Sequence, residues 1–225
     1  MLRNSMSLEE KKGFIVEQKP KSHSSEAYKI LRTNIQYSSY NKELKTILIT
    51  SSVASEGKST ISGNLALSFA QDNKKVLLMD CDLRRPSIHK KFNISNLIGL
   101  SEILIGEINL KEAIICHNDN LDILTSGKLP PNPAEMLSSN SMSNLITTLK
   151  EIYDLIILDC CPLLGITDAQ ILSTNVDGTI LVVQSEKTKK DEVTESKKLL
   201  LKVGANIVGV ILNRIPRCRH KYYHY

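Results

Sequence analysis

Apolar residues along the chain gather in short continuous runs rather than alternating singly. Thr46–Thr50 (TILIT), Val76–Met79 (VLLM), Leu155–Leu158 (LIIL), Thr179–Val183 (TILVV) and Ile207–Leu212 (IVGVIL) have this form, with Leu121–Leu124 (LDIL) a shorter case. A strand covered on both faces needs an apolar side chain at nearly every position, so these runs predict the inner strands of a parallel sheet. Helical patterns separate them over Ser59–Gln71, Leu97–Ile105, Ala134–Lys150, Asp168–Thr174 and Thr188–Val203. Strand and helix alternating down the chain predict an α/β fold, a mostly parallel sheet flanked by crossover helices. With no repeat and no long linker, residues 1–225 read as a single domain.

The two ends follow other patterns. Residues 1–25 are polar and rich in Ser and Lys, which predicts a mobile arm. Ser24, Ser25 and Glu26 then open a helical pattern with Ala27, Ile30, Leu31 and Ile35 on one face. Glu26, Lys29 and Arg32 fall three apart and line up as a charged ridge, which by spacing alone is a solvated helix face. After Pro216 the last nine residues, RCRHKYYHY, read as an exposed tail. Tyr222, Tyr223 and Tyr225 put three of the seven tyrosines into its last four positions. Such crowding exceeds what chance gives at this composition; an aromatic tail packed on the domain or on a partner is the lesser alternative.

Composition narrows the class. Hydrophobic residues are 41% and charged residues 24%, ordinary globular usage that excludes disordered and fibrous chains. Lys and Arg number 29 against 24 Asp and Glu, a net +5 that falls short of a nucleic-acid-binding stripe. No apolar run approaches the roughly 18 residues of a membrane span, and MLRNSMSLEEKKGF lacks the apolar stretch of a secretory signal. The five cysteines (Cys81, Cys116, Cys160, Cys161, Cys218) include no C-x-x-C pair, so reduced thiols of a cytosol are expected.

The chemistry concentrates after the first strand, in Ser51-Ser52-Val53-Ala54-Ser55-Glu56-Gly57-Lys58-Ser59-Thr60. A phosphate loop needs free backbone amides to curl round anionic oxygens, a Lys to span the terminal phosphates and a hydroxyl for Mg2+. Gly57-Lys58-Ser59 supplies all three where a helix begins. Ser52 stands where the usual pattern has its first Gly. Two more strands run into carboxylates: Val76–Met79 into Asp80-Cys81-Asp82-Leu83-Arg84, and Leu155–Leu158 into Asp159-Cys160-Cys161-Pro162. In open parallel sheets ligands bind beyond the carboxyl ends of strands, which places both clusters at the rim of the phosphate loop. They are either Mg2+ ligands, direct or through water, or helix caps; the loop beside them favours the metal.

At these residues the chain resembles the bacterial tyrosine kinases of capsule and exopolysaccharide synthesis, which have a P-loop NTPase fold. The resemblance runs from about Lys19 to the C-terminus. It is carried by the loop at 51–60, the segments Asp80-x-Asp82-x-Arg84 and Asp159-x-x-Pro162, Thr125-Ser126-Gly127, Pro130–Glu135, Thr167-Asp168-Ala169, Gly209–Asn213 and the terminal tyrosines. Departures are Ser55 at a position often Gly, and Cys160-Cys161 where Thr-Pro is usual.

The resemblance implies ATP and Mg2+ as cofactors. Ser55, Glu56, Gly57, Lys58, Ser59, Thr60 and Asn213 would bind the nucleotide, with Asn213 at the adenine. Ser59, Asp80 and Asp159 would hold Mg2+. Lys58, Asp80, Asp82 and Arg84 would form the catalytic set, Asp82 accepting or orienting the attacking hydroxyl. Tyr222, Tyr223 and Tyr225 become phosphoacceptors, served in trans within an oligomer. Glu26, Lys29 and Arg32 match a Glu-x-x-Arg-x-x-Arg motif of ring-like self-association, with Lys in the middle place, which cannot fork as Arg does. The implied partner is the cytosolic C-terminal segment of a membrane-bound polysaccharide co-polymerase. It would activate the chain and hold it at the inner face of the membrane. Other protein-tyrosine substrates fit the same reading; nucleic acid does not. The rivals are a partition or positioning ATPase without kinase activity, against which Val53 replaces that group's signature lysine, and a non-catalytic nucleotide sensor.

Overall fold

The computed structural model describes residues 13–38 and 44–216. In chain order the strands are β1 (Thr46–Ser51), β2 (Val76–Asp80), β3 (Ile114–Asn118), β4 (Leu121–Leu124), β5 (Leu155–Asp159), β6 (Gly178–Gln184) and β7 (Ile207–Asn213). They form one sheet in the order β3-β4-β2-β5-β1-β6-β7, parallel throughout except where β3 pairs antiparallel with β4. Helices α1 (Ile15–Gln18) and α2 (His23–Ser38) precede the sheet, and α3 (Lys58–Ala70) joins β1 to β2. Between β2 and β3 lie α4 (Ile88–Phe92), α5 (Leu100–Leu104) and α6 (Leu110–Ala113). Helices α7 (Pro133–Leu137) and α8 (Asn140–Ile152) join β4 to β5, α9 (Asp168–Ser173) follows β5, and α10 (Lys190–Lys202) joins β6 to β7.

For the inner strands the continuous apolar runs have their predicted cause: successive residues point to opposite faces, and each face is covered. The run Ile207–Leu212 is the exception, because β7 lies at the edge of the sheet with Val210 and Leu212 exposed. Ile47 and Ile49 join one apolar cluster with Leu65 and Phe69 of α3, while Leu48 joins the other with Met142 and Leu149 of α8. Each fully buried Leu or Ile contributes about 1.5–3 kcal/mol, so the two layers outweigh any local preference. The register brings the polar ends together: Asp80 pairs opposite Asp159, and Ile49 opposite Asp159 on its other side. Three strands thus end at one rim.

Four expectations need correction. Residues 13–25 are no mobile arm: Phe14 and Val16 are buried, with Phe14 seated over Gly63 of α3 where any Cβ would collide with its ring. On α2, Leu31 and Ile35 turn inward as expected, but Ala27 is exposed and Ile30 is 61% exposed; Ser25 and Tyr28 turn inward in their place. The helix foreseen over Ala134–Lys150 breaks in two, because Ser139 takes an extended conformation and its hydroxyl accepts the Met142 amide as an N-cap. Strand β3 was not anticipated; it is an edge strand with mixed exposure and carries no continuous apolar run.

Candidate active site

The loop after β1 is shaped by backbone conformation. Ser55 (φ +69°) and Gly57 (φ +96°) both adopt the left-handed region. Gly57 must be glycine twice over, since a Cβ would also meet the side-chain amide of Asn213. Ser55 holds the same conformation at a cost of about 1–3 kcal/mol, and the fixed loop around it has to supply that. Much of the fixing comes from Glu56. Its carboxylate is buried and accepts the amides of Val53 (2.8 Å) and Gln184 (3.1 Å) and the Thr188 hydroxyl. Glu56 thus ties the loop to β6 and the turn that follows it, leaving only its backbone to face a ligand. Asn213 at the end of β7 donates to the Glu56 carbonyl at 2.8 Å, a second strap.

Lys58 opens α3 and reaches across the rim to Asp82, Nζ to Oδ2 3.0 Å. Burial alone would lower the Lys58 pKa, but the charges of Asp159 and Asp82 outweigh it and hold the ammonium protonated. The other oxygen of Asp82 accepts the Arg85 amide at 2.9 Å, which orients the carboxylate toward Lys58. Asp80 lies deeper: one oxygen accepts the Asp82 amide and the other the amides of Ser87 and Ile88, so it shapes the loop that carries Asp82. Burial, then the charge of Asp159, pushes Asp80 up to about 7 despite these amides.

Asp159 is fully buried, and burial raises its pKa against the opposing influence of Lys58, Ser59 and Ser62. One oxygen accepts the Ser62 hydroxyl at 2.9 Å; Oδ2 has no partner. A buried carboxylate oxygen left bare is costly. Beside the Ser59 hydroxyl and a second raised carboxylate, it suits a divalent cation whose remaining ligands are water and phosphate oxygens. Among the described residues no three His, Cys, Asp or Glu side chains form a ready metal cluster.

Arg84 is gripped by Asp168 at the start of α9 through two parallel bonds of 2.8 and 3.0 Å, and Asp168 is fully buried. Sequence reading quoted Asp168 but gave it no task, since its partner lies 84 residues away. Lys91, also unforeseen, donates to the Thr60 hydroxyl at 3.0 Å. Cys160 and Cys161 are buried with their sulfurs 3.8 Å apart, and burial pushes the Cys160 thiol up, away from reactive thiolate. The loop they begin is held by Thr50, which donates to the Cys161 carbonyl at 2.7 Å. Lys58, Ser59, Thr60, Asp82, Arg84 and Lys91 line a cleft of about 730 Å3 whose wall also bears Arg85 and Arg214, whereas Asp80, Asp159 and Asp168 are buried outside its lining. Lys58, Arg84, Arg85, Lys91 and Arg214 against Asp82 make it a site for anions.

The charged ridge of α2 is divided. Glu26 pairs with Lys29 at 2.8 Å in solvent, whereas Arg32 folds back on α3, donating to the Ser68 carbonyl at 2.6 Å and meeting Asp72 at 3.3 Å. Tyr222, Tyr223 and Tyr225 lie outside the described residues.

Residues 44–202 match the AAA domain family. The tyrosine-protein kinase YwqD of Bacillus subtilis (strain 168) is 42% identical over 207 residues, which is 92% of this chain and 87% of that protein. The chain belongs to the bacterial tyrosine kinase family. The crystal structure of the chimerical protein CapA2B2 superposes with a TM-score of 0.88 at 40% identity, covering 91% of this chain and 90% of that one. A more distant likeness, to the septum site-determining protein MinD of Pyrococcus horikoshii in complex with Mg-ADP, has a TM-score of 0.65. It is 28% identical and covers 77% of this chain and 71% of that one. The chain therefore has a P-loop NTPase fold.

Proposed function

We propose that the chain is an ATP-dependent protein-tyrosine autokinase that modifies the C-terminal Tyr222, Tyr223 and Tyr225 of a neighbouring copy and so regulates capsular or exopolysaccharide synthesis and export. The observation that carries the reading is the Lys58–Asp82 pair. It sets the phosphate-spanning cation and a carboxylate of the cleft wall at one point, as transfer to a hydroxyl requires. The names of the relatives and the Mg-ADP held by a protein of the same fold support it.

ATP supplies the transferable phosphoryl group, and Mg2+ offsets charge on its phosphate oxygens. The backbone of Ser55–Thr60, with Lys58, would hold the phosphates, and Ser59, Asp159 and Asp80 would hold the cation. Asn213 belongs to the nucleotide side of the loop. Arg84 stands over the cleft to meet charge that develops in transfer. Asp82 accepts the hydrogen bond of the incoming phenol. A carboxylate of ordinary pKa near 3.9 is a weak base for a phenol near 10, so Asp82 orients the hydroxyl and proton loss comes late.

Self-association, in which one copy's tail enters another's cleft, uses the solvent-facing pair of Glu26 and Lys29, while Arg32 holds α2 to α3 through Ser68 and Asp72. The activating partner in this proposal is the cytosolic C-terminal segment of a membrane-bound polysaccharide co-polymerase, which also places the kinase at the inner face of the membrane. Among the described residues no helix is long and apolar enough to cross a membrane.

Incubation with labelled ATP and Mg2+, with and without that segment, tests the proposal. Phosphotyrosine at 222, 223 and 225 is expected, falling by about 10²–10³-fold in Lys58→Met. Phosphate release with no labelled protein under either condition would assign the chain to the ATPases instead.

A further inference from the structure

One wall of the cleft is chemically out of place. A triphosphate and a hydrated cation call for charged and polar neighbours, yet Pro162, Leu164 and Ile166 all line the cleft. Leu163 between them is fully buried in the core, so the segment divides its side chains between the protein interior and the cleft. The strip is rigidly seated: the amides of Leu163 and Leu164 donate to the carbonyls of Ser51 and Ser52 at 2.8 and 3.1 Å. Ile166 also packs against the core, whereas Leu164 packs into neither apolar cluster, so the fold does not account for Leu164.

The strip lies at the end of the cleft where transfer would occur. Two residues past Ile166, Asp168 grips Arg84, and Arg84 is two residues past Asp82, the partner of Lys58. One ion pair therefore joins the apolar wall to the wall that bears Asp82. The other end of the loop is strapped by Asn213, with Arg214 beside it.

We propose that Pro162, Leu164 and Ile166 form a shelf for the acceptor's phenol ring, which lies along them with its hydroxyl toward Asp82. The inference rests on the kinase reading and adds the residues that select tyrosine. An aromatic side chain brings roughly 150–250 Å2 of surface, which such a strip can partly cover. It also carries its hydroxyl at the far tip of a rigid ring. A serine reaching the same point would leave the shelf uncovered and its own backbone short of the cleft. Leu164 and Ile166 are thus specificity-determining residues that never touch the phosphate.

The test uses the full chain and p-cresol, the tyrosine side chain as a free molecule. Saturation-transfer NMR should detect p-cresol on the wild type and lose it in Leu164→Ala, with recovery in Leu164→Met. In kinetics with a tyrosine peptide, Leu164→Ala should raise the peptide KM by about tenfold without a matching rise in the KM for ATP, and Leu164→Met should restore it. Thermal unfolding of both variants separates misfolding from loss of the shelf. Unchanged p-cresol binding and peptide KM in Leu164→Ala would overturn the shelf while leaving the kinase intact. Displacement of p-cresol by adenosine would also overturn it, making the strip a nucleobase wall. Binding of p-cresol at Leu164 in a chain that forms no phosphotyrosine would keep the ring site and remove the kinase reading instead.

Discussion

Asp80 and Asp159 sit opposite each other at the ends of adjacent strands, both buried and both raised. With Asp80 at about 7 against an ordinary 3.8, the folded protein holds a proton that the unfolded chain has released across that window. The stability from that proton is complete below about pH 3.8 and is lost as pH rises through 7. A divalent cation needs the ionised carboxylates, so its binding expels the proton and competes with it. The stabilisation by Mg-ADP should accordingly grow from about pH 5.5 to about pH 8, appearing as roughly 2–4 °C of melting temperature per kcal/mol gained. Differential scanning fluorimetry at the two pH values checks this; an increment that does not change with pH would remove these carboxylates from cation binding. At this scale the sequence made the reactive groups visible and hid their supports. Lys58, Ser59, Asp82 and Asp159 stand out because each follows an apolar run or a glycine turn. Glu56 and Asp168 do not, because their partners lie 128 and 84 residues away and only the folded sheet brings them together.

Helix α1 is only four residues long, yet it ties the N-terminal segment to the phosphate machinery. The Val16 amide donates to Asn64 of α3 at 3.1 Å, and the Phe14 ring stacks at 4.5 Å on Phe92 of α4, one residue past Lys91. Helix α3 begins with Lys58, and Lys91 bonds Thr60, so Phe14 braces both helices that bear on the loop. Phe14→Ala should cost about 3 kcal/mol, the lower end for losing a buried ring, and should raise the KM for ATP as α4 loosens. Thermal unfolding read beside nucleotide titration checks both; an unchanged melting point would mean that Phe14 is not part of the cooperative core. The segment escaped sequence reading because two buried residues, Phe14 and Val16, are too few to stand out among Lys, Gln and Ser. The central strands were legible for the converse reason: covered on two faces, β1, β2 and β5 could be apolar throughout. Edge strand β3 could not, since one side meets solvent and its pattern is mixed.

The proposed modification of the tail by another copy would make activity a property of encounters between chains. Of the charged ridge on α2, the part left in solvent is the Glu26–Lys29 pair, because Arg32 is already committed to Ser68 and Asp72 of its own chain. An exposed ion pair contributes at most about 1 kcal/mol to folding, so reversing Lys29 to Glu should leave the melting temperature of the isolated chain unchanged. At a contact between copies the same reversal sets like charges together, which costs far more than the pair contributes alone. Phosphorylation in trans can be isolated by mixing Lys58→Met, inactive but with its tyrosines, with an active chain carrying Phe at 222, 223 and 225. Label should appear on the inactive chain at a rate that rises as the product of the two concentrations. Introducing Lys29→Glu into both should lower that rate by about tenfold, equivalent to about 1.4 kcal/mol of lost association. A first-order rate indifferent to dilution, or an inactive chain that stays unlabelled while wild type labels itself, would mean that each kinase modifies its own tail. Helix α2 would then be a brace for α3 and nothing more.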